Sequence, residues 1–395
     1  MYSLSQLPQQ VLLIMLLQFI KSLGASALIP LMSFFIIEGL GSSPWQVGFY
    51  TGLVMPLTLI ANRWAGERLD HGFPVKRLLL ISITAFILAT ALLTRVSGLV
   101  MLVLLVAPLM GLANMGSGTI FTYARLYAER NGLDVARINS WLRMMVSLAW
   151  MIGPAASFTL VSLFGFAPTF VCACVIGLCF LVLTWRTVPT GFRSERTQKH
   201  DAGKEPVNWR LLIAGLTCLG FIITNTLFVS AMPLFFVKEI GLPGSTPGLS
   251  LSVKCIVEVF MIFWSVRLAE RIGIRQVLMV AAILAPTSMI LFAQVTEFWH
   301  VMAASVIEGA YYGLFAGVSI SYVQSFAPDR PGRATAVYMN SLFLGGMIGS
   351  ISMGIIASAT DFKTVLYVAA GSSVAALLIL LATLRLKPGP AQEAV

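Results

Sequence analysis

This sequence predicts an all-α membrane protein of twelve transmembrane helices, arranged as two pseudo-symmetric six-helix bundles. Three observations predict it. The 395 residues are 58% hydrophobic and 11% charged, with a mean hydropathy of +0.89. A soluble domain carries about 25% charged residues, so this chain cannot cover a water-facing surface. The apolar runs are continuous and helix-length, where an outer-membrane barrel would alternate weakly apolar strands. Finally, the sequence echoes itself at an offset near 200 residues. A cytosolic enzyme, a disordered chain and a secreted disulfide scaffold are excluded.

A helix of about 20 residues crosses a bilayer. Apolar stretches and breakers place spans at 9–37, 45–65, 77–95, 98–122, 138–163, 167–186, 209–236, 247–266, 275–295, 298–322, 334–358 and 363–385. Twelve spans leave both termini on one side. Loops on that side hold 20 of the 26 Lys and Arg residues, whereas the opposite loops hold Arg95, Lys238 and Lys363. The positive-inside rule makes the richer side, and both termini, cytoplasmic. The net charge of +10 is therefore read as topogenic, not as a nucleic-acid surface. Val11 to Ile20, followed by Ala25-Ser26-Ala27, resembles a signal peptide with its cleavage site. However, Met1 to Gln10 lacks Lys and Arg, and the apolar run continues to Ile37. The segment reads as an uncleaved first helix.

Residues 186–208 form the only long polar interruption. They divide the chain into an N-terminal bundle (1–185), a cytoplasmic linker (186–208), a C-terminal bundle (209–387) and a short cytoplasmic tail (388–395). Ile29-Pro30-Leu31 with Phe34-Phe35 recurs as Met232-Pro233-Leu234 with Phe235-Phe236. Gly66 to Asp70 is echoed by Arg267 to Gly273, and Tyr123 to Arg137 by Tyr322 to Arg333. The first of these loops carries Asp70, Lys76 and Arg77, and its echo carries Glu270 and Arg271. A carboxylate at a helix end can face the positive N-terminus of a neighbouring helix, and cations beside it can pair with acids, so these five residues are candidate gating groups.

Ionisable residues inside a span cost about 2.5–3.5 kcal/mol on insertion scales and mark functional sites. Lys21, Arg143, Lys254, Glu258 and Glu308 lie well within spans, and Glu38 lies near a span end. Lys254 and Glu258 are four residues apart, the spacing of a same-face helical pair. A contact between Lys21 and Glu308 is a second pairing open to these charges. Arg143, Ser147 and Trp150 form a stripe, with snorkelling of Arg143 to the interface as its alternative. Gln18 shares a face with Lys21. Asn114, Asn225 with Thr226, Asn340, Tyr311 and Tyr312 complete a candidate binding surface, against the alternative of interhelical hydrogen bonding. Gly111, Gly118, Gly345, Gly346 and Gly349 read as helix-packing residues. Cys172, Cys174, Cys179, Cys218 and Cys255 lie in apolar runs without a CxxC and read as packing residues too. His71, His200 and His300 fall in loops without catalytic or metal spacing. The expectation is therefore a non-enzyme without cofactor or metal.

These features together resemble the major facilitator superfamily. The 66–77 loop is similar to its signature, a GxxxD-(R/K)-x-G-(R/K)-(R/K) pattern, with His71 in place of a base and a stretched spacing to Lys76. A narrower likeness is to its sugar efflux transporter family. It rests on Trp45 to Thr51, on Arg143 with Ser147 to Pro154, on Asn225-Thr226 with Met232-Pro233-Leu234, on Gln324 to Pro328 with Gly332, and on Glu258. The resemblance implies export of a small sugar or glycoside in exchange for protons. Alternating access of the two halves is the expected mechanism, with Glu258 or alternatively Glu308 as the expected proton carrier. It also implies a monomer in the bacterial inner membrane whose partners are solute, protons and lipid. Lys21, Lys254 and Glu308 stand outside the sugar-efflux pattern. An exporter of a charged or zwitterionic metabolite, a metal chelator or a drug is the alternative reading.

Overall fold

The computed structural model describes residues 8–193, 208–327 and 331–383. All regular secondary structure among them is helical. In chain order the helices are α1 (Gln9–Phe34), α2 (Pro44–Asp70), α3 (Val75–Leu93), α4 (Leu99–Arg130), α5 (Val135–Phe164), α6 (Phe166–Thr187), α7 (Trp209–Leu234), α8 (Thr246–Ile272), α9 (Ile274–Phe292), α10 (Phe298–Gln324), α11 (Pro331–Ala359) and α12 (Phe362–Ala382). Lipid offers no hydrogen bonds to a bare backbone, so helices that satisfy their own peptide groups are what such apolar runs form. Among the described residues, eleven are long and apolar enough to cross a bilayer. The exception is α2, where Gln46, Thr51, Thr58, Asn62 and Arg63 dilute the apolar run. Several helices outrun their expected spans. For example, α8 extends past residue 266 through Arg267, Glu270 and Arg271, a charged end suited to the interface.

The chain divides into two compact units. One comprises Met1–Ser42 with Leu53–Asp201, and the other comprises Ser43–Gly52 with Ala202–Val395. The start of α2 groups with the second unit because its backbone abuts α11. A Cβ placed on Gly48 would stand 3.0 Å from the Ile351 carbonyl oxygen. The expected linker falls largely, and the tail entirely, outside the described residues.

Each unit repeats the same construction. In the first, α1 packs on α5 and α6, and α3 packs on α4 and α6. In the second, α7 packs on α11 and α12, and α9 packs on α10 and α12. Both α1 and α7 contain a proline, Pro30 and Pro233, and both close in a π-helical turn, Phe35–Gly39 and Phe235–Glu239. The following turns place Gly41 at φ 63° and Gly241 at φ 79°, a left-handed conformation that other residues adopt with strain. The echo of Pro30-Phe35 in Pro233-Phe236 is thus an echo of three-dimensional structure.

A second duplicated device closes each unit. The last carbonyls of a helix have no partner within it. Lys76, at the start of α3, donates from Nζ to the Trp185 carbonyl in the last turn of α6 at 2.6 Å. Its ammonium also stands 5.1 Å from the Trp185 ring centroid, and the residue is buried. Arg275, at the start of α9, donates from Nη1 to the Thr383 carbonyl at the end of α12 at 2.7 Å. A cation here meets both an orphan acceptor and the negative end of the helix dipole. Replacing Lys76 with Met is expected to cost about 1 kcal/mol and to lower the melting temperature of the detergent-purified protein by about 2–4 °C. Arg275→Met should do the same. Unchanged thermograms for both variants would mean the caps stabilise nothing.

Candidate functional site

The second unit holds a polar cluster built by three helices. Lys254 projects from α8, Glu308 from α10 and Asn225 from α7. The Lys254 ammonium lies 2.7 Å from Glu308 Oε1. Its directed hydrogen bond goes to Asn225 Oδ1 at 2.6 Å, and it stands 4.4 Å from the Tyr312 ring centroid. Lys254 is 5% exposed and Glu308 is fully buried. Neither Glu308 Oε2 nor the buried Tyr311 hydroxyl has a hydrogen-bond partner among the described residues. A buried polar atom without a partner costs about 1–3 kcal/mol, so the cluster holds unmet hydrogen-bonding capacity.

Glycines bring these groups together. A Cβ at Gly309 would stand 2.5 Å from the Lys254 carbonyl oxygen, and one at Gly313 would stand 2.7 Å from the Glu258 carbonyl oxygen. Gly317 continues the row against Ile262. A glycine every fourth residue puts one bare strip along α10, and that strip lets the backbone of α8 approach it directly. The i, i+4 spacing of small residues is a known packing signal in membranes. It stands in the sequence as Gly309-x-x-x-Gly313-x-x-x-Gly317. Packing at this crossing thus rests on glycines other than Gly111, Gly118, Gly345, Gly346 and Gly349.

The partner of Lys254 also differs from the intrahelical expectation. No ion pair links Lys254 to Glu258 among the described residues. The nearer acid is Glu308, on the helix that the glycine row draws in, and this also gives Glu308 its cation within its own unit. Glu258 is half-buried one turn further along α8.

The first unit carries a quieter set. Gln18 is fully buried on α1. Its Nε2 donates to Ser22 Oγ at 2.9 Å and reaches Ser117 Oγ on α4 at 3.5 Å, while its Oε1 lacks a donor. Lys21, one turn on, is half-buried. Asn114 donates from Nδ2 to Thr58 Oγ1 at 3.1 Å, which ties α4 to α2. Arg143 is exposed on α5, and Ser147 and Trp150 are half-buried beyond it. Asn340 is exposed on α11. Among the candidate gating residues, Lys76 is engaged at the end of α6. Arg77 is exposed, 6.0 Å from the Phe73 ring centroid. Glu270 and Arg271 are exposed at the end of α8. The Asp70 side chain lies outside the described residues.

Known proteins share this fold. The pattern of the Major Facilitator Superfamily matches residues 14–224 and again 214–395. Sugar efflux transporter A of Escherichia coli (strain K12) is 26% identical over 373 residues, covering 92% of this chain and 94% of that protein. Sugar efflux transporter B of Salmonella typhimurium is 23% identical over 368 residues, covering 93% of each. Among solved structures, the nucleoside transporter NupG superposes with a TM-score of 0.78 at 16% identity, over 96% of this chain and 100% of that one.

Removing one member of a buried ion pair leaves an uncompensated charge and costs about 3–5 kcal/mol, whereas apolar replacement of both is near neutral. Lys254→Met alone should therefore destabilise the protein strongly, and Lys254→Met with Glu308→Leu should recover most of the loss. Thermal unfolding of the two singles and the double tests this. Additive losses would show that the two charges do not depend on one another.

Proposed function

The chain belongs to the Major Facilitator Superfamily, and we propose that this membrane transporter exports a small sugar or glycoside in exchange for protons. The observation that carries the reading is the Lys254–Glu308–Asn225 cluster, with its partnerless Glu308 Oε2 and Tyr311 hydroxyl. A saccharide supplies hydroxyl groups that donate to such acceptors, and an apolar ring face suited to Tyr312. The likeness to sugar efflux transporters over more than nine-tenths of the chain supports the same solute class.

In this proposal the bundles 1–185 and 209–387 move as bodies during alternating access. Gln18, Lys21, Asn114, Arg143 and Trp150 serve the solute in the first. Asn225, Glu308, Tyr311, Tyr312 and Asn340 serve it in the second. Asp70, Arg77, Glu270 and Arg271 make and break cytoplasmic contacts, and Lys76 holds the start of α3, the helix that carries Arg77. Glu258 carries the proton. It is half-buried and without an ion-pair partner among the described residues, whereas Glu308 is held by Lys254. One proton crossing about 100 mV supplies about 2.3 kcal/mol, enough for a ~50-fold gradient in a neutral solute.

The test is flux of labelled glycosides in proteoliposomes, with an imposed proton gradient. Wild type should accumulate sugar against its gradient. Glu258→Gln should abolish that accumulation while sugar binding stays measurable by thermal shift. Undiminished driven transport by the Gln variant would remove Glu258 from the proton path. Failure of the wild type to move any glycoside would remove the sugar.

A further inference from the structure

We infer that the exported saccharide is acidic and that Lys21 holds its carboxylate. This rests on the sugar-export reading above and narrows it. Lys21 lies at the midpoint of α1, the thirteenth of its 26 residues, where a lysine costs about 2.5–3.5 kcal/mol to insert. Its stem passes Gly116 of α4, where a Cβ would stand 3.7 Å from Lys21 Cε, an ordinary contact distance. No hydrogen bond or ion pair engages its ammonium among the described residues.

Among its described residues, the first unit offers that ammonium no acid. Glu38 lies 17 residues further along the chain, about 25 Å away at helical rise. Glu67, Asp70, Glu129 and Asp134 lie at helix ends or in turns. The second unit shows the contrast, because Lys254 there has both a carboxylate and an amide oxygen within 2.7 Å. Lys21 has neither, and its half-buried side chain leaves the ammonium open to an anion.

One turn away, Gln18 supplies the second half of the argument. Its amide nitrogen is occupied by Ser22 and Ser117, but its fully buried Oε1 has no donor. An ammonium beside an orphan acceptor is complementary to an anion beside a hydroxyl. A sugar acid carries both on one ring. A neutral saccharide leaves the ammonium uncompensated. A phosphorylated sugar brings a charge of about −2, more than one lysine neutralises.

The experiment compares methyl glucuronide with methyl glucoside, a pair that differs in one carboxylate. Wild-type protein is reconstituted in liposomes, and each compound competes against labelled glucuronide in counterflow at neutral pH. Glucuronide should compete at least tenfold better. Lys21→Gln should shrink the ratio to within twofold, and Lys21→Arg, which keeps the charge, should preserve it. Equal or better competition by the glucoside in wild type overturns the assignment of an acidic sugar. A ratio that survives Lys21→Gln overturns the role of Lys21, as does an inactive Arg variant that elutes as folded protein. If neither glycoside moves through the wild type, the sugar-export reading fails and takes this inference with it.

Discussion

Lys254 and Glu308 persist as partners inside the second unit because each offsets part of the other's desolvation penalty at 2.7 Å. That proximity is a backbone property before it is a side-chain property. Glu308 sits beside Gly309, and Gly309 rests on the carbonyl of Lys254. Once α10 lies this close to α8, the two side chains have nowhere else to go. Asn225 and Tyr312 then complete the shell around the ammonium. The remaining oxygen of Glu308 is left without a donor among the described residues. It is the acceptor that the site still has to offer.

The first unit repeats the frame and not the chemistry. Gly111 presses α4 on Leu57 of α2, as Gly309 presses α10 on α8. Across the equivalent crossing, Asn114 and Thr58 form a neutral hydrogen bond where the second unit places charges. Proline-bearing first helices, π-helical ends and cation-capped helix termini recur in both halves because they answer a requirement common to both: ending and closing helices without water. Charges inside the spans answer no such requirement, and they differ between the halves.

This division explains what the sequence made legible. Helix number and the duplication were readable, because apolar length and breakers act locally and the Pro30–Phe35 echo is a local pattern. The end of α2 was harder to place, since Arg63 and Glu67 form an exposed i, i+4 pair that continues the helix beyond its apolar part. The partner of Lys254 was not readable from spacing alone. Glu258 is four residues away along the helix and Glu308 is 54 away in sequence, yet interhelical distance decides. The row Gly309, Gly313, Gly317 carried that information as a packing code. Lys76 meets a related limit. From the sequence a basic loop residue reads as a gate, whereas the orphan carbonyl of Trp185 that captures it belongs to a helix more than a hundred residues later.

The two in-span lysines make the same point from opposite sides. Both sit deep in an apolar helix, each between a β-branched residue and a small one (Ile20 and Ser22, Val253 and Cys255), so sequence treats them alike. Lys254 is neutralised by its own unit and asks no charge of a solute. Lys21 is neutralised by no described residue of its unit, and evolution towards stability alone would have replaced it, since an apolar residue at the centre of α1 would spare the insertion cost. A cation retained at that cost, beside a buried carbonyl that also lacks a partner, is better understood as half of an interaction whose other half arrives with the solute.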